Sequence, residues 1–257
     1  MAYALITGAS KGIGLEIARE LARRKFDVLL VARSASILAD VARQLASDYG
    51  VKTDTFAIDL AESGSAQQVF NWCAEKNYTV QTLVNNAGYG LSGPFEKHSL
   101  AEHTDMMSVN MTALVELTYL FLPQLRQQSK AYILNIGSSA AYQAVPGLSL
   151  YSASKVFVLQ FSRGLHQELR KSSVSVTCVC PGSTDTAFAD RAQIGEKGRK
   201  AAQKVNMTPQ DVAKQAVEAM LAGKTEVVTG LLNKAGKLMA WLLPKGLVEK
   251  TAGSIYD

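Results

Sequence analysis

The stretch Thr7–Gly14 reads TGASKGIG and follows directly on the apolar run Tyr3-Ala4-Leu5-Ile6. Three glycines in eight residues are more than a turn needs, because one or two supply any left-handed backbone position. Gly8, Gly12 and Gly14 also stand between a strand-like run and the helical pattern Ile13–Lys25. In that context a glycine loop lets backbone N–H groups approach a pyrophosphate at a helix N-terminus. The spacing is G-x-x-x-G-x-G, not G-x-G-x-x-G. On its own the loop therefore also admits a conformational reading, in which glycines simply end a strand and start a helix.

Outward from the loop, continuous apolar runs recur at 2–7, 28–32, 51–58, 82–85, 132–136, 174–179 and 226–229. Runs without polar alternation are strands covered on both faces, as in a parallel sheet. Between them, segments such as Ile13-Ile17-Leu21 and Leu38-Val41-Leu45 carry a helical period. Repeated βα units predict an α/β fold, a doubly wound parallel sheet of about seven strands flanked by helices, with ligands at the carboxyl edge. Two segments break the rhythm. Residues 188–207 are polar and glycine-containing and suit a substrate lid after the sixth strand. Residues 231–257 contain LLNKAGKLMAWLLPKGLVEK, read as an amphipathic extension packed on the same domain as residues 1–230. A pocket cover and a membrane-surface contact are the other readings of that tail.

The 257 residues are 47% hydrophobic and 19% charged, enough for a sizeable core. The net charge of +5 and pI near 9.0 are a modest basic bias. Its densest cluster, Arg19, Arg23, Arg24 and Lys25, reads as a solvated helix face and argues against a nucleic-acid partner. A basic chain does favour an anionic cofactor or substrate. Met1 leads straight into strand-like sequence, and no uninterrupted apolar run nears the roughly 18 residues of a membrane span. Cys178 and Cys180 share one face of a strand and read as buried thiols, so a reducing, cytoplasmic setting is expected. His98, His103 and His166 fall at no recognisable ligand spacing, and no metal is expected.

The second strand ends Val31-Ala32-Arg33-Ser34. A carboxylate there holds the ribose hydroxyls of NAD, whereas an arginine pairs with a 2′-phosphate through its guanidinium fork. Lys11 adds a second positive charge, so NADP(H) is expected. Arg33 equally fits a surface arginine at the start of a loop. Asp59, after the third strand, suits either the adenine amino group or a turn cap.

YSASK places Tyr151 and Lys155 four apart on one helix face. Ser138 in NIGSSA lies thirteen residues earlier, at a strand end, with Ser139 as the competing neighbour. All would stand at the carboxyl edge beside the glycine loop.

Together, TGASKGIG (7–14), Asp59-Leu60, NNAG (85–88), Asn110, Ser138, YSASK (151–155) and PGSTDT (181–186) resemble the short-chain dehydrogenase/reductase family, in its single-domain branch of about 250 residues. The resemblance runs from residue 3 to about 230 and implies a Rossmann-like domain. It implies a catalytic set of Asn110, Ser138, Tyr151 and Lys155. Tyr151 is the general acid or base, Ser138 holds the substrate oxygen, and Lys155 bonds the nicotinamide ribose. Asn110 holds a water for proton relay. The implied cofactor contacts are Gly8, Ser10, Lys11, Gly12, Ile13, Gly14, Arg33, Ser34, Asp59, Leu60, Asn86, Ala87 and Gly88. To these it adds Tyr151, Lys155, Pro181, Gly182, Thr184 and Thr186, the last at the nicotinamide carboxamide. A tyrosine titrates near ~10, and lowering it by ~3 units takes ~4 kcal/mol. An ammonium ~4 Å away supplies about that at an effective dielectric of ~20.

The expected substrate wall is Tyr89, Leu91, Tyr142, Val145, Leu148 and Phe188, apolar and without a cluster for a carboxylate. An apolar ketone or aldehyde fits it best. VARS and the hydrophobic tail are also similar to the family's hydroxysteroid and ketoacyl reductases. The long helices 101–128 and 151–171 carry surplus apolar residues, Met107, Met111, Leu114, Leu117, Thr118 and Phe121, which points to a homodimer or homotetramer. The expected function is NADP(H)-dependent interconversion of a carbonyl and an alcohol. The alternatives are a catalytically silent NADP(H)-binding scaffold and a membrane-surface lipid ketoacyl reductase anchored through residues 234–250.

Overall fold

Seven parallel strands form one sheet in the order β3-β2-β1-β4-β5-β6-β7 in the computed structural model, which describes residues 3–203 and 206–256. The strands are β1 (Tyr3–Thr7), β2 (Asp27–Ala32), β3 (Thr53–Ala57), β4 (Val80–Asn85), β5 (Ala131–Ile136), β6 (Val174–Cys180) and β7 (Glu226–Val228). Each expected strand is present, within a few residues. Ala2 of the first run, Lys204 and Val205 of the polar segment and Asp257 of the tail lie outside the described residues.

The continuous apolar runs are explained by two cores, one on each face. Ala4, Ile6, Val28 and Leu30 pack beneath α1 (Gly12–Arg23), α2 (Ala35–Tyr49) and α9 (Pro209–Leu221), whose contributions include Ile17, Leu21, Leu38 and Val217. Leu5, Leu29, Leu83 and Ile133 face the other way, onto α3 (Ser65–Glu75) and α5 (Ala113–Arg126), through Val69, Trp72, Leu117 and Phe121. A fully buried leucine contributes about 2 kcal/mol, so a strand apolar at every position holds both layers.

Three boundaries differ from expectation for local reasons. Lys25 adopts a left-handed backbone (φ 68°), which closes α1 at Arg23 with Arg24 as its cap. The single helix expected over 101–128 is three pieces: α4 (Leu100–Met107), a π-helical segment Ser108–Thr112, and α5. The helix of YSASK, α6, spans Ser149–Glu168. The run Leu100–Arg126 is long and apolar enough by composition alone to cross a membrane, a property that its interrupting polar residues conceal. Here it flanks the sheet, with Leu117, Phe121 and Leu125 in the core.

A polar ladder crosses the centre of the sheet. Asn85 and Asn135 are register partners on β4 and β5, and the Asn85 amide donates to Asn135 Oδ1 (2.9 Å) and Thr118 Oγ1 (3.1 Å). Asn135 Nδ2 donates in turn to Ser162 Oγ on α6 (2.9 Å). All four residues are buried. Removing the middle member takes a hydrogen bond from each of two buried polar groups, Asn85 Nδ2 and Ser162 Oγ, and leaves a cavity between them. Asn135→Ala is therefore expected to lose about 2–4 kcal/mol in urea unfolding, and a loss below about 1 kcal/mol would show that the ladder does not brace the sheet.

Candidate active site

The carboxyl ends of β1 and β4 are stitched together by Thr7. Its buried hydroxyl donates to Val84 O (3.2 Å) and accepts the N–H groups of Asn86 (3.0 Å) and Ala87 (3.1 Å). Asn86 Nδ2 reaches back to Thr7 O at 2.9 Å. This junction leaves no room for side chains. A Cβ on Gly14 would lie 2.3 Å from both Gly8 O and Asn86 Nδ2, and Gly8 itself has φ +67°. The three glycines thus let α1 begin against the sheet edge. That helix start has no side-chain cap and no acidic residue in its first turn, so its N–H groups and positive dipole end face the cleft. A pyrophosphate fits this cradle.

A single cavity of about 680 Å³ runs from that cradle along the sheet edge. Its walls include Gly8, Ser10, Lys11, Gly12, Ile13 and Gly14, then Arg33, Ser34, Asp59 and Leu60 at one end. Asn86, Ala87 and Gly88 line the middle, and Ser138, Tyr151, Lys155, Pro181, Gly182, Thr184 and Thr186 the other end. Every predicted cofactor residue therefore reaches this one space. Arg33 Nη1 lies 3.5 Å from Asp59 Oδ2, while Asp59 Oδ1 caps the turn by accepting Ala61 N–H at 3.0 Å.

Tyr151 and Lys155 stand one turn apart near the start of α6, both buried, with the ammonium 5.8 Å from the phenol ring centroid. Lys155 Nζ donates to Ile136 O at 2.9 Å. Burial lowers its pKa to about 8, opposed by the neighbouring Cys178 and Cys180 sulfurs. Those two thiols lie buried and 3.9 Å apart, one face of β6 as the spacing predicts. Ser138 caps the 3₁₀ turn Ser139–Tyr142, its Oγ accepting Ala140 N–H at 3.1 Å.

Asn110 is the one predicted site residue set behind the cavity wall. It occupies the π-helical segment, 1% exposed, and brackets Tyr89 by accepting its N–H and donating to its carbonyl, both at 3.0 Å. Its second amide hydrogen goes to Ser154 Oγ (3.0 Å). Gly88 keeps Asn110 and Lys155 within reach of each other: a Cβ there would sit 3.0 Å from Asn110 Oδ1 and 3.4 Å from Lys155 Nζ.

The polar segment after β6 does cover the cavity. It forms α7 (Phe188–Arg191) and α8 (Glu196–Gln203) and is closed at its base by a bridge between Thr184 and Met207. Phe188 packs on Tyr151 with ring centroids 5.2 Å apart. One turn on, Arg191 lies 4.5 Å over the Tyr89 ring and lines the cavity, a cation beside a wall expected to be apolar and without a cluster for a carboxylate. Burial raises the Tyr89 pKa, opposed by that guanidinium. Arg199 is used structurally, donating to Ile194 O (2.8 Å) and Ala189 O (3.2 Å).

Two expected wall residues point elsewhere. Tyr142 turns away from the cavity, its hydroxyl donating to Glu226 on β7 at 2.5 Å. Leu91 packs beside Met106, Val145, Leu148 and Tyr151 rather than lining the main cavity. Asn233 was not anticipated. It belongs to α10 (Leu231–Leu242) and closes on Gly182 so tightly that a Cβ there would meet it at 2.1 Å. The histidines serve packing: His98, His103 and His166 each bond a backbone carbonyl, of Ser92, Phe95 and Val176.

A parallel sheet with an open glycine cradle and a buried Tyr–Lys pair in one cleft defines a nucleotide-dependent oxidoreductase. A family profile described as short chain dehydrogenase matches residues 2–197. The chain is 31% identical over 250 residues to ketoacyl reductase HetN of Nostoc sp., covering 96% of this chain and 85% of that one. It is 39% identical over 183 residues to very-long-chain 3-oxoacyl-CoA reductase-A of Danio rerio, covering 70% of this chain and 57% of that protein. The match thus spans little more than half of that relative's length. Among solved structures, a short-chain dehydrogenase from Sphingobium yanoikuyae in complex with NADPH superposes with a TM-score of 0.82 at 29% identity. That alignment covers 95% of this chain and 97% of the other. The chain belongs to the short-chain dehydrogenase family and is an oxidoreductase that binds a nicotinamide cofactor.

The buried ammonium has a thermodynamic signature. With a folded pKa of about 8 against an ordinary 10.5, Lys155 loses its proton more readily folded than unfolded. Its burial therefore opposes folding fully below pH 8, and the penalty fades as pH rises to 10.5. In the cofactor-free protein, Lys155→Met is expected to gain up to ~3 kcal/mol at pH 7, less ~1 for the lost hydrogen bond to Ile136 O. The gain should vanish by about pH 10 in parallel denaturant titrations; a pH-independent difference would contradict the assignment.

Proposed function

We propose that the protein is an NADP(H)-dependent carbonyl reductase and alcohol dehydrogenase acting on an apolar ketone or aldehyde. The observation that carries this reading is the junction at Gly88, where the buried Tyr151–Lys155 turn meets the same cavity as the glycine cradle. The bound cofactor supplies the hydride that adds to the carbonyl carbon. Tyr151 gives its phenolic proton to the carbonyl oxygen, and in the reverse direction takes it from the alcohol. Ser138 donates a hydrogen bond to that oxygen and fixes it for transfer. Lys155, charged below about pH 8, stabilises the phenolate that proton transfer leaves behind. Reduction is accordingly expected to weaken as pH rises through 8.

Asn110 acts through position. Its side chain is committed to Tyr89 and Ser154. A water relaying protons to Lys155 would thus use the remaining Oδ1 lone pair or the main-chain carbonyl. Arg33, mostly exposed and only loosely paired with Asp59, supports a 2′-phosphate and hence NADP(H). Val145, Leu148 and Phe188 support an apolar substrate, and the 3-oxoacyl and ketoacyl names of the relatives agree with a ketoacyl chain. Of the residues expected to be surplus, Leu114, Leu117, Thr118 and Phe121 are buried within this chain, so it is Tyr119, Val156 and Phe157, exposed on α5 and α6, that support pairing of these helices in a homodimer or homotetramer. The three free, buried thiols support a reducing cytoplasmic setting.

Tyr151→Phe is expected to lower the rate of NADPH oxidation by ~10²–10⁴-fold on whichever aliphatic, aromatic, steroid or 3-oxoacyl carbonyl the wild type reduces. NADPH affinity should stay within about twofold. Equal turnover by both proteins would remove Tyr151 from the chemistry. Arg33→Ala should weaken NADPH binding by ~10–100-fold, the worth of a charge-assisted hydrogen bond, and leave NADH unchanged. An unaltered NADPH-to-NADH ratio would show that the arginine does not hold a phosphate.

A further inference from the structure

Helix α10 is attached the wrong way round. Asn233, Lys237 and Ala240, at i, i+4 and i+7, are its inward positions. Asn233 Nδ2 donates to Thr229 O at 2.8 Å, and Lys237 pairs with Glu226. Glu226 is itself held by Arg163 (2.6 Å) and Tyr142, and these cations and the phenol keep its carboxyl below the ordinary value although burial pushes it up. The helix is thus bolted to β7 through its polar side. Its apolar residues, Leu231, Leu232, Leu238, Met239, Trp241 and Leu242, all face outward, with Leu231 82% and Trp241 76% exposed. An amphipathic helix on a protein surface normally does the opposite. In the following helix, α11 (Lys245–Tyr256), Leu247 is exposed as well.

We propose that this face docks on an anionic lipid surface. Three observations select that occupant. The exposed face is too apolar and too contiguous to be left in water. Among the described side chains of α10 and α11, the exposed charged ones are lysines, Lys234, Lys245 and Lys250, while Glu249 is half-buried. Lys234 also stands on the stripe of Leu238 and Trp241, one and two turns before them. At a bilayer its stem lies along the apolar face and its ammonium reaches a headgroup phosphate. Across a two-fold axis the same lysine would be driven into an apolar contact between copies. Asn233 lines the catalytic cavity from the opposite side of α10, so a docked helix brings the cavity next to the bilayer. The docking does not depend on the reductase reading.

The chain carries its own probe. Of its two tryptophans, Trp72 is buried in the core and Trp241 is exposed. Full-length protein mixed with phosphatidylcholine vesicles containing phosphatidylglycerol should co-sediment, with a blue shift of tryptophan emission. Vesicles of phosphatidylcholine alone should bind about tenfold or more weakly. Leu238→Ser with Leu242→Ser should abolish both signals, and Lys234→Glu with Lys245→Glu should weaken binding at least ~10-fold and blunt the lipid preference. NADPH binding should be retained in all variants, which checks their folding. Absence of sedimentation and of any shift with anionic vesicles would overturn the proposal. So would a dimer that falls to monomers in the serine variant while vesicles are ignored, because the face would then belong to a second copy.

Discussion

The close approach of Gly14 to Gly8 O and Asn86 Nδ2 governs this molecule. The sheet reverses its winding between β1 and β4, and the crevice opened there is where a doubly wound fold can hold a ligand. Keeping that crevice usable requires α1 to begin at the sheet edge without a side chain intervening. It also requires the two strand ends to stay in fixed register. Thr7 meets the second need with a hydroxyl whose donor and both acceptor sites are taken by the β4 end. Gly8 and Gly14 meet the first. A side chain at either glycine collides with groups that Thr7 and Asn86 have already fixed, so the loop and the NNAG turn act as one piece.

The Tyr151–Lys155 pair sits on the same edge and carries a stability cost. Lys155 is a buried cation whose direct partner is a carbonyl, and its lowered pKa measures the resulting penalty. Nothing in packing alone calls for an ammonium there. A methionine would fill the space at lower cost, so its presence argues for a role that needs charge beside Tyr151. The π-helical segment is a second such concession. One extra residue per turn at Ser108–Thr112 gives up regular helix geometry and in exchange aims Asn110 inward at Tyr89 and Ser154. Without it, a regular helix would present this face of the long segment differently to the loop after β4.

Much of this was readable from residues. Seven apolar runs gave seven strands because strands packed on both faces have no other way to be written. The glycine loop, Arg33, YSASK and Ser138 all converge on one cavity, because parallel strands put their carboxyl ends on one edge. What could not be read depended on direction rather than type. Tyr142 and Tyr89 are both aromatic residues in loops after strands, yet one turns to Glu226 and the other to the cavity; the choice is made by a carboxylate 84 residues away. Arg191 and Arg199 sit on one covering segment, and the carbonyls of Ala189 and Ile194 with the Asp190 carboxylate decide that Arg199 is structural. The π-helical segment likewise leaves the apolar period nearly intact and so escapes any pattern of spacing.

The tail shows the same limit most sharply, because periodicity identifies an apolar face but not what it touches. Residues 231–242 have an amphipathic pattern that, in isolation, would be docked apolar side down. Glu226 reverses that. It lies on the last and shortest strand, half-buried, and its carboxylate needs partners more than the neighbouring surface needs apolar cover. Tyr142 answers from the turn after Ser138, Arg163 from the Tyr151 helix and Lys237 from α10. One carboxylate therefore joins the serine turn, the Tyr151 helix and the tail. A buried charge short of partners costs several times what one exposed leucine forfeits, so the orientation of α10 is settled by electrostatics, and its apolar face is left for whatever lies outside the molecule. The same carboxylate thus joins the tail, through Tyr142, to the turn that Ser138 caps.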